Sequence, residues 1–303
     1  MPSRGRIALI AVGASVGVVA LFVGTVWLLM TVMEEGGLPG GGKVAVVEVE
    51  GIIGVASDRG LDADGIVRVL SEYREDASIR AVVLRINSPG GVVAPTQEIF
   101  NAVGRLRGAG KPVVASLGAV AASGGYYVAV AADEVYANPG TLTGSIGVVM
   151  QLANIEGLLR KVGVEYVVVK AGAYKDVGSF ARPMKPEERR ILQALLDDVY
   201  GQFVTAVAER RGLDRKTVLG FADGRIYSGQ QALKLNMVDE LGGLEDAIEA
   251  AARLAGLPEK PKVIYPRRRF SLRDLLQNQL GLGAAIQLLP ALPSLKTPLY
   301  LMP

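Results

Sequence analysis

The chain has 303 residues, half of them hydrophobic, with 33 basic and 30 acidic side chains, enough for one large or two modest domains with real cores. A formal charge of +3 over that length lacks the concentrated basic face by which a nucleic-acid binder is known, so no nucleic-acid partner is expected. The two counts of zero exclude more: without cysteine there is no disulfide, thiolate nucleophile or thiolate metal site, and without histidine there is no Ser-His-Asp triad. Nucleophilic chemistry in this chain has to run on Ser, Thr, Asp, Glu, Lys or Tyr, with a lysine or a carboxylate as its base.

Residues Ile7–Met33 are 27 uncharged, mostly apolar positions, more than the roughly 20 that cross a bilayer core. Arg4 and Arg6 precede them, Glu34 and Glu35 follow, and Trp27 lies towards the far end. This pattern predicts one transmembrane helix in contact with lipid, residues 1–6 in the cytoplasm, and the body of the protein outside it at the cell membrane. A cleaved signal peptide is the alternative, but the run is long for one and no Ala-x-Ala site closes it. The glycine-rich stretch 34–42, with Pro39 inside it, reads as a flexible linker.

From Lys43 to about residue 260, apolar runs alternate with helical patterns. Strands are expected at Val44–Val49, Ala81–Ile86 and Val113–Leu117, and helices at Gly65–Tyr73 and Ala94–Leu106. Further apolar runs follow at Val135–Ala137 and Tyr166–Val169, then a long helix from Glu187 to about Arg211 and a last one near Leu244–Leu254. Runs such as Ala-Val-Val-Leu-Arg-Ile are near-continuous, as in parallel strands covered on both faces, so the fold class is α/β with a largely parallel sheet. Residues 261–303, with Arg267–Arg269 and a Leu- and Pro-rich end, read as a C-terminal tail in which the arginines are a solvated or lipid-touching patch.

One hydroxyl stands out in Ala-Ala-Ser-Gly-Gly-Tyr-Tyr at 121–127. Ser123 follows a buried strand and precedes a buried helix, and such a junction places a side chain beside free helix N–H groups that favour a developing oxyanion. A small-residue packing site is the plain alternative. A second glycine pair, Ile-Asn-Ser-Pro-Gly-Gly at 86–91, reads as a turn between the Ala81–Ile86 strand and the Ala94 helix, at the carboxyl edge where α/β sheets bind ligands. The acidic pairs Asp133-Glu134, Asp197-Asp198 and Asp239-Glu240 read as solvated faces, and no metal cluster or cofactor motif is evident.

Asn-Ser-Pro-Gly-Gly at 87–91, Ala-Ala-Ser-Gly-Gly-Tyr-Tyr at 121–127, Thr-Gly-Ser-Ile-Gly at 143–147 and Tyr-Lys-Asp at 174–176 together resemble the signal peptide peptidase A family in its short form. The resemblance runs over nearly all of 43–265 and implies repeated βα units of the Clp and crotonase type. It implies Ser123 as nucleophile, Lys175 as general base, Ser145 as the residue that orients the lysine, and the N–H groups of Gly91 and Gly124 as oxyanion donors. Ala173 departs from the glycine more usual two positions before that lysine, which bears on the loop's backbone alone. In the family's longer form, base and nucleophile lie in different halves of a tandem chain, so a half-sized unit implies a homo-oligomeric ring. The residues around Lys175 agree with the role. A lysine acts as a base only when neutral, Ala171–Tyr174 are uncharged, and Asp176 must point away.

The expected protein is therefore a membrane-anchored Ser-Lys endopeptidase acting on signal-peptide remnants and other apolar peptides near the membrane. Three rivals remain: a stomatin-type, partner-specific membrane protease, a crotonase-like acyl-CoA enzyme, and an inactive membrane scaffold.

Overall fold

A computed structural model describes residues 17–26, 42–55, 61–266 and, as backbone, 299–301. The chain divides between Gly42 and Lys43 into two units. In the first, residues 17–26 form a helix with mostly exposed side chains. No helix among the described residues is long and apolar enough to cross a membrane. The rest of the span expected over 7–33 lies outside the described residues, as do most of the linker and Arg267–Arg269.

The second unit is built on a mostly parallel sheet. Its main path runs β6 (Ile226–Ser228), β5 (Leu142–Gly144), β3 (Val113–Ala122), β2 (Ile79–Val92), β1 (Lys43–Ile53) and β8 (Lys262–Ile264). The helices α1 (Ala63–Glu75) and α2 (Val93–Gly108) connect β1 to β2 and β2 to β3. Side chains alternate across the central strands β1, β2 and β3, and over most of their length both sets are buried. Ala45, Val47, Leu84 and Ile86 join a core that includes Ile66 and Leu70 of α1 and Ile99 and Val103 of α2. On the other face Val44, Val46, Ala81 and Val83 pack with Ala247, Ala250 and Ala251 of α8 (Leu244–Leu254). That double cover is why the strands read as continuous apolar runs.

At β3 the sheet forks. The first half of β3, Val114–Leu117, pairs with β4 (Glu134–Ala137), which continues to β7 (Glu240–Leu241). Its second half, Val120–Ala122, pairs with β5, and β5 pairs antiparallel with β6. Ser123 is the next residue after that second half. It precedes the short helix α3 (Gly124–Ala129).

Three expectations change. The 86–91 stretch is not a turn after a strand, because β2 runs on through Asn87–Gly91 and ends at Val92. Tyr166–Val169 pairs with no strand among the described residues and is exposed throughout, Val169 to 96%. The sheet continues past Pro261: β8 pairs in parallel with β1, and Leu299–Leu301 forms β9, antiparallel to β2 at Gly90–Val92. The remaining elements are short helices α4 (Glu156–Lys161), α6 (Arg215–Leu219) and α7 (Gly229–Lys234), and the long α5 (Pro186–Arg211).

Candidate active site

Ser123 is held in a conformation that serine avoids. Its φ is 53° and ψ −118°, and among the described residues only Ser145 (φ 50°) and Asn236 share a positive φ without being glycine. The N–H of Ser123 donates to the Gly144 carbonyl at 2.7 Å, and the Ser123 carbonyl accepts from Tyr127 N–H at 2.8 Å, so β5 fixes one side of the residue and α3 the other. Its side chain is wholly buried, and Oγ has no hydrogen-bond partner among the described residues. Strained backbone and an unsatisfied buried hydroxyl each cost about 1–3 kcal/mol. A packing role needs neither, which counts against the plain alternative.

The two tyrosines of the motif anchor the helix after Ser123. Tyr126 is fully buried and donates its hydroxyl to the Met237 carbonyl at 2.9 Å, and burial pushes that phenol well above its ordinary range. The Tyr127 ring lies 4.8 Å from that of Phe100 on α2 and 5.0 Å from that of Phe203 on α5. Aromatic contacts on both sides leave α3 little freedom to turn.

Gly91 and Gly124 meet at this junction. A Cβ on Gly124 would lie 3.1 Å from Gly91 N, and one on Gly91 would lie 2.0 Å from the Ile53 carbonyl oxygen, so neither position has room for a side chain. The backbones of the two expected oxyanion donors are thus in contact beside Ser123. Ser145 follows Gly144, whose carbonyl holds Ser123. Its own N–H donates to the Arg225 carbonyl at 2.8 Å. Sequence reasoning missed the hydroxyls that brace these strands: Thr143 Oγ1 donates to Ala121 O at 2.7 Å, Thr141 Oγ1 to Gly118 O at 2.7 Å and Thr96 Oγ1 to Val92 O at 2.8 Å. A threonine beside small residues was the one available signal.

Lys175 is placed differently. It lies in a turn closed by its N–H to the Gly172 carbonyl at 3.2 Å, and it is exposed. Its ammonium makes no hydrogen bond or ion pair among the described residues, and it does not bond Ser123 Oγ. The burial expected around it is therefore not provided by the described residues. Asp176 does point elsewhere: one oxygen accepts from Lys170 Nζ and the other from Arg182 Nε at 2.9 Å. Arg182 first, then Lys170, holds this carboxyl well below the usual range. Arg182 also binds Glu188 of α5 at 2.5 and 2.9 Å, and Lys185 N–H donates to Glu188 at 2.9 Å, pulling the Glu188 carboxyl down to about 2. This chain of charges ties the lysine loop to the start of α5.

The acidic pairs lie largely at the surface, as expected, and two of their members also brace strands. Asp133 takes Arg107 Nε at 2.6 Å and Val113 N–H at 2.8 Å, and Asp239 takes Arg211 at 2.8 and 2.9 Å and Val135 N–H at 2.7 Å. No group of residues fit to hold a metal ion occurs among the described residues.

A strained, buried serine between a strand end and a helix, flanked by two close glycine amides, belongs to hydrolases that transfer acyl groups through a serine hydroxyl. Residues 105–258 match Peptidase family S49. Protein slr0021 of Synechocystis sp., named as a protease, is 48% identical over 219 residues, 72% of this chain and 76% of that protein. MJ0651 of Methanocaldococcus jannaschii, also named as a protease, is 37% identical over 256 residues, 82% of each chain. An Enterococcus faecium protein named as a signal peptide peptidase SppA is 32% identical over 255 residues, 82% of this chain and 74% of that one. The chain belongs to Peptidase family S49 and is a serine protease acting on peptides.

Proposed function

We propose that the protein is a membrane-anchored endopeptidase in which Ser123 is the nucleophile and Lys175, from a neighbouring copy in a closed ring, is the general base. The observation that carries this reading is the Ser123 hydroxyl, fully buried, on strained backbone and without a partner among the described residues. Lys175 supports the second half of the proposal, since it is exposed beside Tyr174 and a run of exposed apolar residues that includes Val164, Tyr166, Val167 and Val169. Apolar surface of that kind calls for a cover, and a second copy would cover it while bringing a lysine to a serine that has no base beside it among the described residues.

In the reaction, neutral Lys175 Nζ takes the Ser123 Oγ proton as Oγ bonds to the peptide carbonyl carbon. The Gly91 and Gly124 N–H groups receive the oxyanion, and Ser145 steadies the lysine. Collapse breaks the C–N bond, the lysine returns the proton to the leaving amine, and water then hydrolyses the acyl-enzyme by the same exchange. A peptide would lie along the end of β2, an edge that already accepts the antiparallel strand β9 at Gly90–Val92. Apolar remnants of signal peptides in or near the membrane are the substrates this reading favours, with the domain outside the cytoplasm. The related partner-specific protease would show instead one dominant protein target in a substrate survey. The test is to treat the full chain with a fluorophosphonate and map the adduct by mass spectrometry. An adduct on Ser123, absent in Ser123→Ala, is expected. Labelling at another serine overturns the assignment.

A further inference from the structure

Ser88 is fully buried in β2 and lies outside the set of residues given a role above. Its surroundings start from a fault in the ladder between β1 and β2. Glu50 pairs with Asn87 and Ile52 pairs with Gly90, so the single residue Gly51 faces both Ser88 and Pro89. Two residues against one make a β-bulge, and Pro89 has no N–H to offer across it. The Ser88 hydroxyl fills that gap, donating to the Gly51 carbonyl at 2.6 Å. The same oxygen accepts the N–H of Gly90 at 3.1 Å, and its second, longer contact is to the Gly90 carbonyl at 3.3 Å.

Gly90 has a φ of 109°, open to glycine and closed to other residues, and it is followed by a second glycine. Two successive glycines form the least restrained link in a chain, yet the Gly90–Gly91 peptide carries one of the two N–H groups aimed at the oxyanion. Ile53 blocks Gly91 from one side, and Ser88 Oγ meets Gly90 twice: at its N–H, part of the Pro89–Gly90 peptide, at 3.1 Å, and at its carbonyl, part of the Gly90–Gly91 peptide, at 3.3 Å. The backbone of Ser88 also reaches the nucleophile's helix, since a Cβ on Gly125 would lie 2.7 Å from the Ser88 carbonyl oxygen. One residue thus touches Gly51 of β1 across the bulge, the oxyanion peptide and the helix behind Ser123.

We infer that Ser88 is a positioning residue for the oxyanion site: its hydroxyl, bonded to Gly51 O and touching both the N–H and the carbonyl of Gly90, holds the peptides on either side of Gly90 and so the direction of the Gly91 N–H. This rests on the reading of Ser123 as nucleophile and Gly91 as donor. A donor that points a few tens of degrees away weakens the bond to the oxyanion while leaving the groove that binds the peptide intact, so the loss falls on the chemical step.

The experiment uses the full-length enzyme and the variants Ser88→Ala and Ser88→Cys, the second nearly isosteric and a weaker hydrogen-bonding group. For Ser88→Ala, kcat is expected to fall about 10- to 100-fold with KM within about twofold, a part of the ~100- to 1,000-fold that follows outright loss of such a donor. Affinity for a peptide boronate, whose oxygen occupies the oxyanion position, should fall in the same proportion as kcat/KM. Ser88→Cys should lie between Ser88→Ala and the native enzyme, and it supplies the readout if Ser88→Ala does not fold. A kcat within twofold of native in a folded variant, or boronate affinity that does not follow kcat/KM, overturns the inference and leaves Ser88 a structural residue. Absence of a fluorophosphonate adduct on Ser123 of the native enzyme overturns instead the reading beneath it.

Discussion

The surroundings of Ser123 and those of Lys175 are built in opposite ways. Around Ser123 every neighbour is buried: strands β2, β3 and β5 converge, two tyrosines pin the following helix, and the backbone is strained into place. Around Lys175 the chain is a turn on an exposed apolar arm, secured through side chains by the Lys170, Asp176, Arg182 and Glu188 chain of charges. The difference teaches that a buried, strained serine and an exposed lysine can be built by separate regions that do not bond each other among the described residues. It also shows where to strike: changes at the first region should abolish chemistry, and changes at the second should act through assembly.

The largest effects belong to the proposed dyad. Ser123→Ala and Lys175→Ala should each lower kcat on the order of 10³-fold or more in peptide hydrolysis. Lys175→Arg should be as inactive as Lys175→Ala, because a guanidinium does not deprotonate in proteins. Substantial turnover by Lys175→Arg would remove the lysine from the mechanism.

Next comes the arm. Val167→Asp combined with Val169→Asp should break assembly, seen as a smaller species in sedimentation, and lower activity at least about tenfold. The melting temperature of the separated chain should shift by only a few degrees, since exposed side chains add little to its own core. Retained assembly with full activity would show that the arm is not an interface.

The tether gives a smaller, pH-dependent effect. Asp176 and Glu188 are both held below the ordinary carboxylate range, so their contribution is complete above about pH 5. It is lost as the pH falls through the lowered values, about 2 for Glu188. Hydrogen exchange across 170–190 should therefore rise as pH drops below about 4, after correction for the intrinsic rate. In Glu188→Gln that acid-dependent rise should shrink. An unchanged pH dependence would mean that the charges do not secure the loop.

The smallest effect runs against activity. Ser123→Gly removes both the backbone strain and the unsatisfied hydroxyl, and should raise stability by about 1–2 kcal/mol while abolishing hydrolysis. Calorimetry on the variant checks it. A lower melting temperature would show that Ser123 is not held at a cost.

The alternating apolar runs made the βα order legible, because strands covered on both faces and helices of 11 residues or more carry their period locally. Ser123 and the two glycine pairs could be singled out because small residues cluster where backbones touch, whereas the roles of Gly91 and Gly124 followed from the family resemblance. What could not be read was non-local. Asn87–Gly91 looks like a turn because bulge and turn use the same residues, and only the pairing with Gly51 and Ile52 shows it to be strand. Leu142–Gly144 and Ile226–Ser228 are three-residue strands with no period to detect. Tyr166–Val169 is apolar like a buried strand, yet an apolar run states that something covers it without saying whether the cover is its own chain or another.

The central claim, that serine and lysine meet across a boundary between copies, is tested most directly by coexpressing Ser123→Ala and Lys175→Ala chains with two different tags and isolating assemblies that carry both. Each boundary needs an intact serine from one chain and an intact lysine from the next, so random mixing in equal amounts should restore about a quarter of native activity from two inactive parents. Mixed assemblies that form and remain inactive would place the dyad within one chain.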